Sequence, residues 1–409
     1  MKTYFPKKVI IIIVLALIVR LIFIFSFSDL KKDYYWEYGE IAKNVIHGNG
    51  YSLFYFNGNE LEHKYSPSND ILPSAYMPPG YVAFLLPFMM VNDLATRNIL
   101  ILLIQTIISI GSICLIYIFT KKYFSDISAL MAVIIVSFLP EFIYSVTSYT
   151  PTVIYHFLVI KLILQFKDYH DYPKKMKLLF IGLIASTLIY FRSEFLLAII
   201  LFLFSLFFRK KFIPASFILL AVIFLMIPWI FRNYQVFNEF VPLTTSGGLN
   251  FYRGNNAEGL GSWGNEITNK EIIDIKRDNK FELNLNRVYL THALSYIKNN
   301  PRPATREMFV KIYHLWVIDT FDNRSYLWTY ILPSVFILVL FIFGFIKSYS
   351  WERYRYVYLF FISSTIIAAV FFTLPRYQTM MKILIIPFAT YGIEMLVKKF
   401  KPNLLQQKK

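Results

Sequence analysis

Charge is scarce in this chain. Only 16% of its 409 residues are Asp, Glu, Lys or Arg, whereas 56% are hydrophobic and 19% aromatic; the mean hydropathy is +0.50. A water-soluble globule of this length needs far more charged surface, so an ordinary soluble class is excluded. There is one cysteine, Cys114, inside an apolar run. It can form no intrachain disulfide and reads as a small buried hydrophobe. The six histidines, His47, His63, His156, His170, His292 and His314, show no zinc-ligand spacing, and no glycine-rich nucleotide fingerprint occurs. ATP coupling within the chain is therefore not expected. No internal repeat or low-complexity linker stands out.

What the chain has in quantity is apolar runs long enough to cross a hydrocarbon layer of about 30 Å. They predict an all-α polytopic membrane protein. Spans are expected near 9–27, 98–120, 126–143, 150–166, 178–192, 194–208, 212–231, 327–346, 354–374 and 378–396. The first follows Lys7-Lys8 and lacks a small-residue cleavage pattern before Asp29, so it reads as a retained signal anchor. Tyr81 to Val91 is too short to cross, because about 11 helical residues rise only some 16 Å.

The net charge of +17 does not point to nucleic acid. Lys and Arg gather in short loops such as Arg209-Lys210-Lys211 and Lys398-Lys399, the placement that orients a helix bundle against anionic lipid. If Tyr81 to Val91 is re-entrant or interfacial, every basic loop falls on one side. About ten spans in the cytoplasmic membrane follow, with both termini cytoplasmic and two polar regions outside, 28–80 and 232–326. The chain then divides into a transmembrane catalytic module, 1–231, an external region, 232–326, and C-terminal helices with a cytoplasmic tail, 327–409. Within the external region, helix-like patterns run from Lys270 to Asn300 and from Arg302 to Val317.

Chemistry is expected in the first outer loop. Asp33, Glu37 and Glu40 are spaced four and three apart, so on a helix they share a face; a solvated face of an interfacial helix gives the same pattern. Lys31 and Lys32 before them could neutralise the cluster, meet lipid phosphate or simply anchor at the interface. Arg20 lies within the first span, where it either snorkels or serves a function. Arg192, beside Glu194, Arg232 and Arg376 also sit at outer helix ends. Four arginines on the side that basic residues avoid need a reason, and a bound phosphate is an economical one. Tyr76-Met77-Pro78-Pro79-Gly80 fixes an extended entry into the short apolar helix. Glu62 and His63 could contribute to a divalent-metal site or be an ordinary surface pair.

In order, the chain carries an acidic residue after the first span, then EIAKNVIHGNGYS, PSAYMPPGY, Phe191-Arg192-Ser193-Glu194, PWIFRNYQVFNEFVPLTTSGGLNFYRGNN and Pro375-Arg376-Tyr377. This series resembles membrane glycosyltransferases of the GT-C superfamily, in particular the bacterial glycosyltransferase family 39 type related to protein mannosyltransferases and aminoarabinose transferases. The resemblance runs from the first span to about residue 257 and more weakly to about 396. It implies a GT-C-like bundle with outer-face interfacial helices, and a polyprenyl-phosphate sugar donor. It further implies inverting transfer to a lipid, polysaccharide or protein acceptor at the outer face. The loop acid, at Asp33, would be the general base. Many relatives place that acid four positions before the tyrosine of a Tyr-x-x-x-Ala unit, whereas Asp33 lies five before Tyr38, which keeps Glu37 and Asp29 in play. Met77 stands where relatives often carry Lys or His, so phosphate binding falls to Arg192, Arg232, Arg376 or Arg20. Tyr38, Tyr76, Pro78, Pro79 and Glu194 would shape the substrate site. No cofactor is required by this chemistry, though a divalent metal is compatible with it. A lipid-linked oligosaccharide polymerase or ligase, and a lipid or sugar transporter without covalent chemistry, are the competing readings.

Overall fold

The computed structural model describes residues 5–67, 70–258, 272, 274–320 and 322–400. The tail 401–409 and the first part of the helix expected from Lys270 lie outside the described residues. Each of the ten expected spans is helical: α1 (Lys7–Phe27), α4 (Leu94–Tyr123), α5 (Asp126–Phe138) with α6 (Pro140–Tyr144), α7 (Thr152–Asp171), α8 (Lys175–Phe191), α9 (Phe195–Phe208), α10 (Phe212–Phe237), α14 (Trp328–Ser348), α15 (Trp351–Val370) and α16 (Pro375–Phe400). Five of them, α1, α4, α10, α14 and α16, are by themselves long and apolar enough to cross a membrane. The protein is a polytopic helical membrane protein.

The expected single span 126–143 is broken in two. Pro140 has no N–H to give to the carbonyl one turn back, so the helix stops at Phe138 and restarts. The carbonyls so freed are met by Arg20 of α1, which is fully buried and donates to Ser137 O at 3.0 Å and Val136 O at 3.3 Å. Its remaining donors reach Ser109 Oγ at 3.0 Å and Ala16 O at 3.2 Å. Backbone groups inside a bilayer have no water to turn to, and here one guanidinium supplies the partners.

The segment expected to be re-entrant or interfacial forms α3 (Pro79–Met89), 11 residues long, too short to cross. It packs on α8 and on α2 (Trp36–Ile46). Gly80 makes that approach close, since a Cβ there would stand 2.7 Å from Tyr190 O. The first loop also contains strands that the all-α reading passed over. β1 (Ser52–Asn57) pairs antiparallel with β2 (Glu60–His63) and with β3 (Leu72–Pro73). The β1–β2 turn is Gly58-Asn59, with Gly58 at φ 63°, a left-handed position that suits a tight hairpin.

At the same end of the bundle as this loop lie α11 (Gly247–Gly254), α12 (Phe281–Asn299) and α13 (Pro301–Trp316). Thr245 N donates to Ala75 O at 3.0 Å, joining the two polar regions. The opposite end is tied by ion pairs, Lys122 with Asp168 and Asp171, Arg209 with Glu352, and Lys398 with Glu394.

Deep in the bundle, α14 and α16 cross at Gly344 and Gly392. A Cβ on Gly344 would overlap Phe388 O, and one on Gly392 would fall 2.5 Å from Leu340 O, a small-residue crossing of the kind bilayers favour. Gly344→Val should therefore cost about 1–3 kcal/mol through overpacking and lower the apparent melting temperature in detergent. Gly247→Ala, where an added Cβ meets nothing within 4 Å, should leave it unchanged; equal melting of the two variants would contradict this packing.

Candidate active site at the loop end of the bundle

The first loop enters α2 through an unusual backbone. Trp36 has φ 59°, a left-handed conformation rare for a bulky residue and costly enough to need support. Asp33 consequently precedes the helix and does not share a helical face with Glu37 and Glu40, as the four-and-three spacing suggested. Its carboxylate lies 3.2 Å from Arg97 of α4 and 3.3 Å from Lys43 of α2, and its side chain is 52% exposed. Glu40 is buried and internal, accepting from Lys43 at 3.1 Å and from Tyr65 N at 2.8 Å. Glu37, half-buried, forms no hydrogen bond or ion pair among the described residues and lines a cleft with Tyr76 and Glu282.

Tyr38 is where the distant sequence segments meet. Burial pushes its hydroxyl up to about 12, opposed by the nearby Arg192 and Arg376 and assisted by Glu194 and Glu37. These residues come from the first turn of α2, the hinge between α8 and α9 and the start of α16. Arg192 is buried, its Nε 2.6 Å from Glu194 Oε1 and its guanidinium carbon 4.9 Å from the centre of the Tyr377 ring. Arg376 lies against the same ring at 5.6 Å, with its Nε buried and without a hydrogen-bond partner among the described residues. Two guanidinium groups thus share one tyrosine, and one of them has an open donor.

The other two arginines are occupied. Arg20 serves the broken end of α5 as described above. Arg232 donates to Ser74 O at 2.6 Å, Tyr51 O at 2.8 Å and Asn233 Oδ1 at 3.0 Å, and stacks near Tyr51, Trp229 and Phe237. It binds the base of the small sheet to α10. Both residues give most of these hydrogen bonds to backbone carbonyls, which assigns them a structural role in this conformation. Pro78 and Pro79 start α3, and Met77 gives its carbonyl to the Tyr51 hydroxyl at 2.7 Å.

Sequence reasoning missed Glu282. Its Oε1 accepts from Ala75 N at 2.8 Å and from the Thr245 hydroxyl, while Oε2 is buried with no hydrogen-bond partner among the described residues. Burial raises its pKa to about 7 despite the lowering effect of the Ser74 hydroxyl, those two hydrogen bonds and the nearby Arg232. The signal was an acid on the buried stripe 282, 285, 289 and 293 of an otherwise amphipathic helix. Arg253, also buried, lines the same cleft. His63 reaches the cleft rim, but Glu62 beside it pairs with Lys64. Among the described residues no group of three or more His, Cys, Asp or Glu is placed to hold a metal ion.

No protein-family model matches the chain, and no curated protein matches it. Among solved structures it is similar to the oligosaccharyltransferase AglB of the archaeon Archaeoglobus fulgidus in complex with an inhibitory peptide and a dolichol-phosphate, with TM-score 0.57 and 10% identity over 96% of this chain and 51% of that one. The same archaeal enzyme with Zn and sulfate gives TM-score 0.56 and 11% identity over 95% and 49%. ArnT from Cupriavidus metallidurans bound to undecaprenyl phosphate gives 0.42 and 10% identity over 95% and 77%. The chain spans about half the length of the archaeal enzyme and has the GT-C membrane fold.

The raised Glu282 pKa has a stability consequence. A carboxyl at about 7 when folded and near the ordinary 4.5 when unfolded favours the folded state fully below pH 4.5, and that contribution is lost as pH rises through 7. The loss is on the order of 3 kcal/mol. Melting of wild type and Glu282→Gln across pH 4.5 to 8 should show the variant lacking this fall. Parallel curves would mean that Glu282 is not held neutral.

Proposed function

We propose that the protein transfers a sugar from a polyprenyl-phosphate carrier to a hydroxyl-bearing lipid, glycan or protein acceptor, with inversion, at the outer face of the cytoplasmic membrane. The observation that carries this reading is the convergence of Arg192, Arg376, Glu194 and Glu37 on Tyr38 from three separate segments. A polyprenyl phosphate is already a good leaving group. It needs fixed cations for the charge that develops as its bond to the anomeric carbon breaks, and Arg192 and Arg376 are placed together to provide them. The acceptor oxygen needs a carboxylate to take its proton as it attacks the opposite face of that carbon.

Glu37 is the better placed of the two candidate bases. Its side chain is half-buried, forms no ion pair among the described residues, lines the cleft and, like the two arginines, lies near Tyr38. Asp33 is exposed and bridged by two cations, which suits a role in holding the entry to α2. The archaeal enzyme that shares the fold has been captured with dolichol-phosphate, a lipid phosphate of the class proposed here. The orientation follows from charge: the basic loops between α7 and α8 and between α9 and α10, together with Lys398 and Lys399, lie at the other end, and such loops stay on the cytoplasmic side.

Release of polyprenyl phosphate from radiolabelled polyprenyl-phosphate sugars, with cell envelope as acceptor, tests this. Glu37→Gln should lower the rate by about 10²–10⁴ and Arg376→Gln by about 10², whereas Asp33→Asn should cost less than about tenfold. A greater loss in Asp33→Asn than in Glu37→Gln would transfer the base to Asp33. No release from any donor by folded wild type would defeat the transferase reading.

A further inference from the structure

The cleft between the first loop and α12 has a division of labour that the phosphate chemistry does not use. One wall is α2 and the small sheet, giving Glu37 and His63; the other is α11 and α12, giving Arg253, Glu282 and Tyr289; Tyr76 lies between them. Tyr76 and Tyr289 contribute apolar lining, with Phe54 and Leu285, and the charged and amide groups supply donors and acceptors. Such a mixture fits a ligand with both C–H faces and hydroxyls better than an acyl chain, which has no use for the polar groups.

Glu282 is the informative residue. It is 3% exposed, and its Oε1 is fixed by Ala75 N and the Thr245 hydroxyl. The fixed oxygen aims the other one, which is buried, has the Ser74 hydroxyl in its neighbourhood and makes no hydrogen bond among the described residues; a buried polar atom left unpaired is costly unless a ligand completes it. The charged and titratable groups around the carboxyl are Arg232 from α10, Arg253 from α11, Glu37 from α2, His63 from β2 and the Tyr51 hydroxyl. A neutral carboxyl offers one donor and one acceptor, the complement of a sugar hydroxyl.

We infer that this cleft receives the hydroxyl-bearing edge of a pyranose, with Glu282 Oε2 hydrogen-bonded to a ring hydroxyl. The inference rests on the transferase reading above and adds the place where sugar is recognised, separate from the arginines that would hold phosphate. The same hydroxyl chemistry is presented by the sugar of the donor and by a glycan acceptor.

Dicyclohexylcarbodiimide modifies protonated carboxyls in apolar surroundings and can be mapped to the Glu282 peptide by mass spectrometry on the full-length wild-type protein in detergent. Glu282→Gln verifies the assignment. Labelling should decline as pH rises through about 7, following the raised pKa. A panel of undecaprenyl-phosphate hexoses and pentoses should reduce labelling about tenfold at ten times the Kd, while undecaprenyl phosphate alone should not; this outcome assigns the cleft to the donor sugar. Protection by soluble methyl glycosides, and not by the lipid-linked sugars, assigns it to the acceptor. Equal protection by undecaprenyl phosphate with and without sugar overturns the inference, because occupancy would then report lipid or phosphate.

Retention of radiolabelled undecaprenyl phosphate by wild type and Arg376→Gln separates the two readings. Retention that depends on Arg376, with labelling unaffected by any sugar, sinks the cleft and leaves the transferase standing. Failure of that retention together with protection by methyl glycosides sinks the transferase and leaves a sugar-binding cleft.

Discussion

The guanidinium of Arg232 holds two carbonyls, Ser74 O and Tyr51 O, at the base of the small sheet. Everything assembled at this end depends on that clasp. Ser74 and Tyr51 are themselves joined, Ser74 N to Tyr51 O at 2.9 Å, so fixing them fixes the two residues that flank the small sheet, one before β1 and one after β3. The next residue, Ala75, is bound by Thr245 N and by Glu282, and two residues further Met77 takes the Tyr51 hydroxyl. A loop of some fifty residues would ordinarily be mobile; here a few buried hydrogen bonds make it one wall of a rigid cleft. Arg232 contributes as a backbone clamp, since two of its hydrogen bonds hold carbonyls that are adjacent at the base of the sheet but 23 residues apart in sequence.

The helical framework was legible because bilayer physics is simple: long apolar runs must be helices. Pro140 showed why the boundaries were less so. A run of apolar residues hides a break that only the proline's missing N–H explains, and the repair comes from Arg20, more than a hundred residues earlier. The hairpin was legible too, from Asn57-Gly58-Asn59 after Phe54, Tyr55 and Phe56, but the helical composition drew attention away from it.

The arginines show the real limit. In sequence, Arg20, Arg192, Arg232 and Arg376 all read as cations at or near helix ends. Their partners separate them into two that hold carbonyls and two that face Tyr38, and those partners lie far along the chain. Asp33 and Glu37 differ in the same way: residue type and spacing make them equivalent, whereas Arg97 and Lys43 bridge one and leave the other. Glu282 is the converse case. Its position on a buried stripe was visible, but an acid on a half-regular helix acquires meaning only when Ala75 and Thr245 are found on one of its oxygens.

The contact between Arg20 and Ser137 also orders events in time. These residues are 117 apart, so at 5–20 residues per second about 6–23 s of synthesis separate the charge from its partner. During that interval α1 is in or near the bilayer with an uncompensated cation, a burden of about 2.5–3.5 kcal/mol at a helix centre. The run of Ile, Val, Leu and Phe that makes up most of α1 is apolar enough to carry it. The apolar excess of the first helix is thus provision for a delay: it holds the arginine at membrane depth until α4 and α5 have been made and the break at Pro140 is there to receive it.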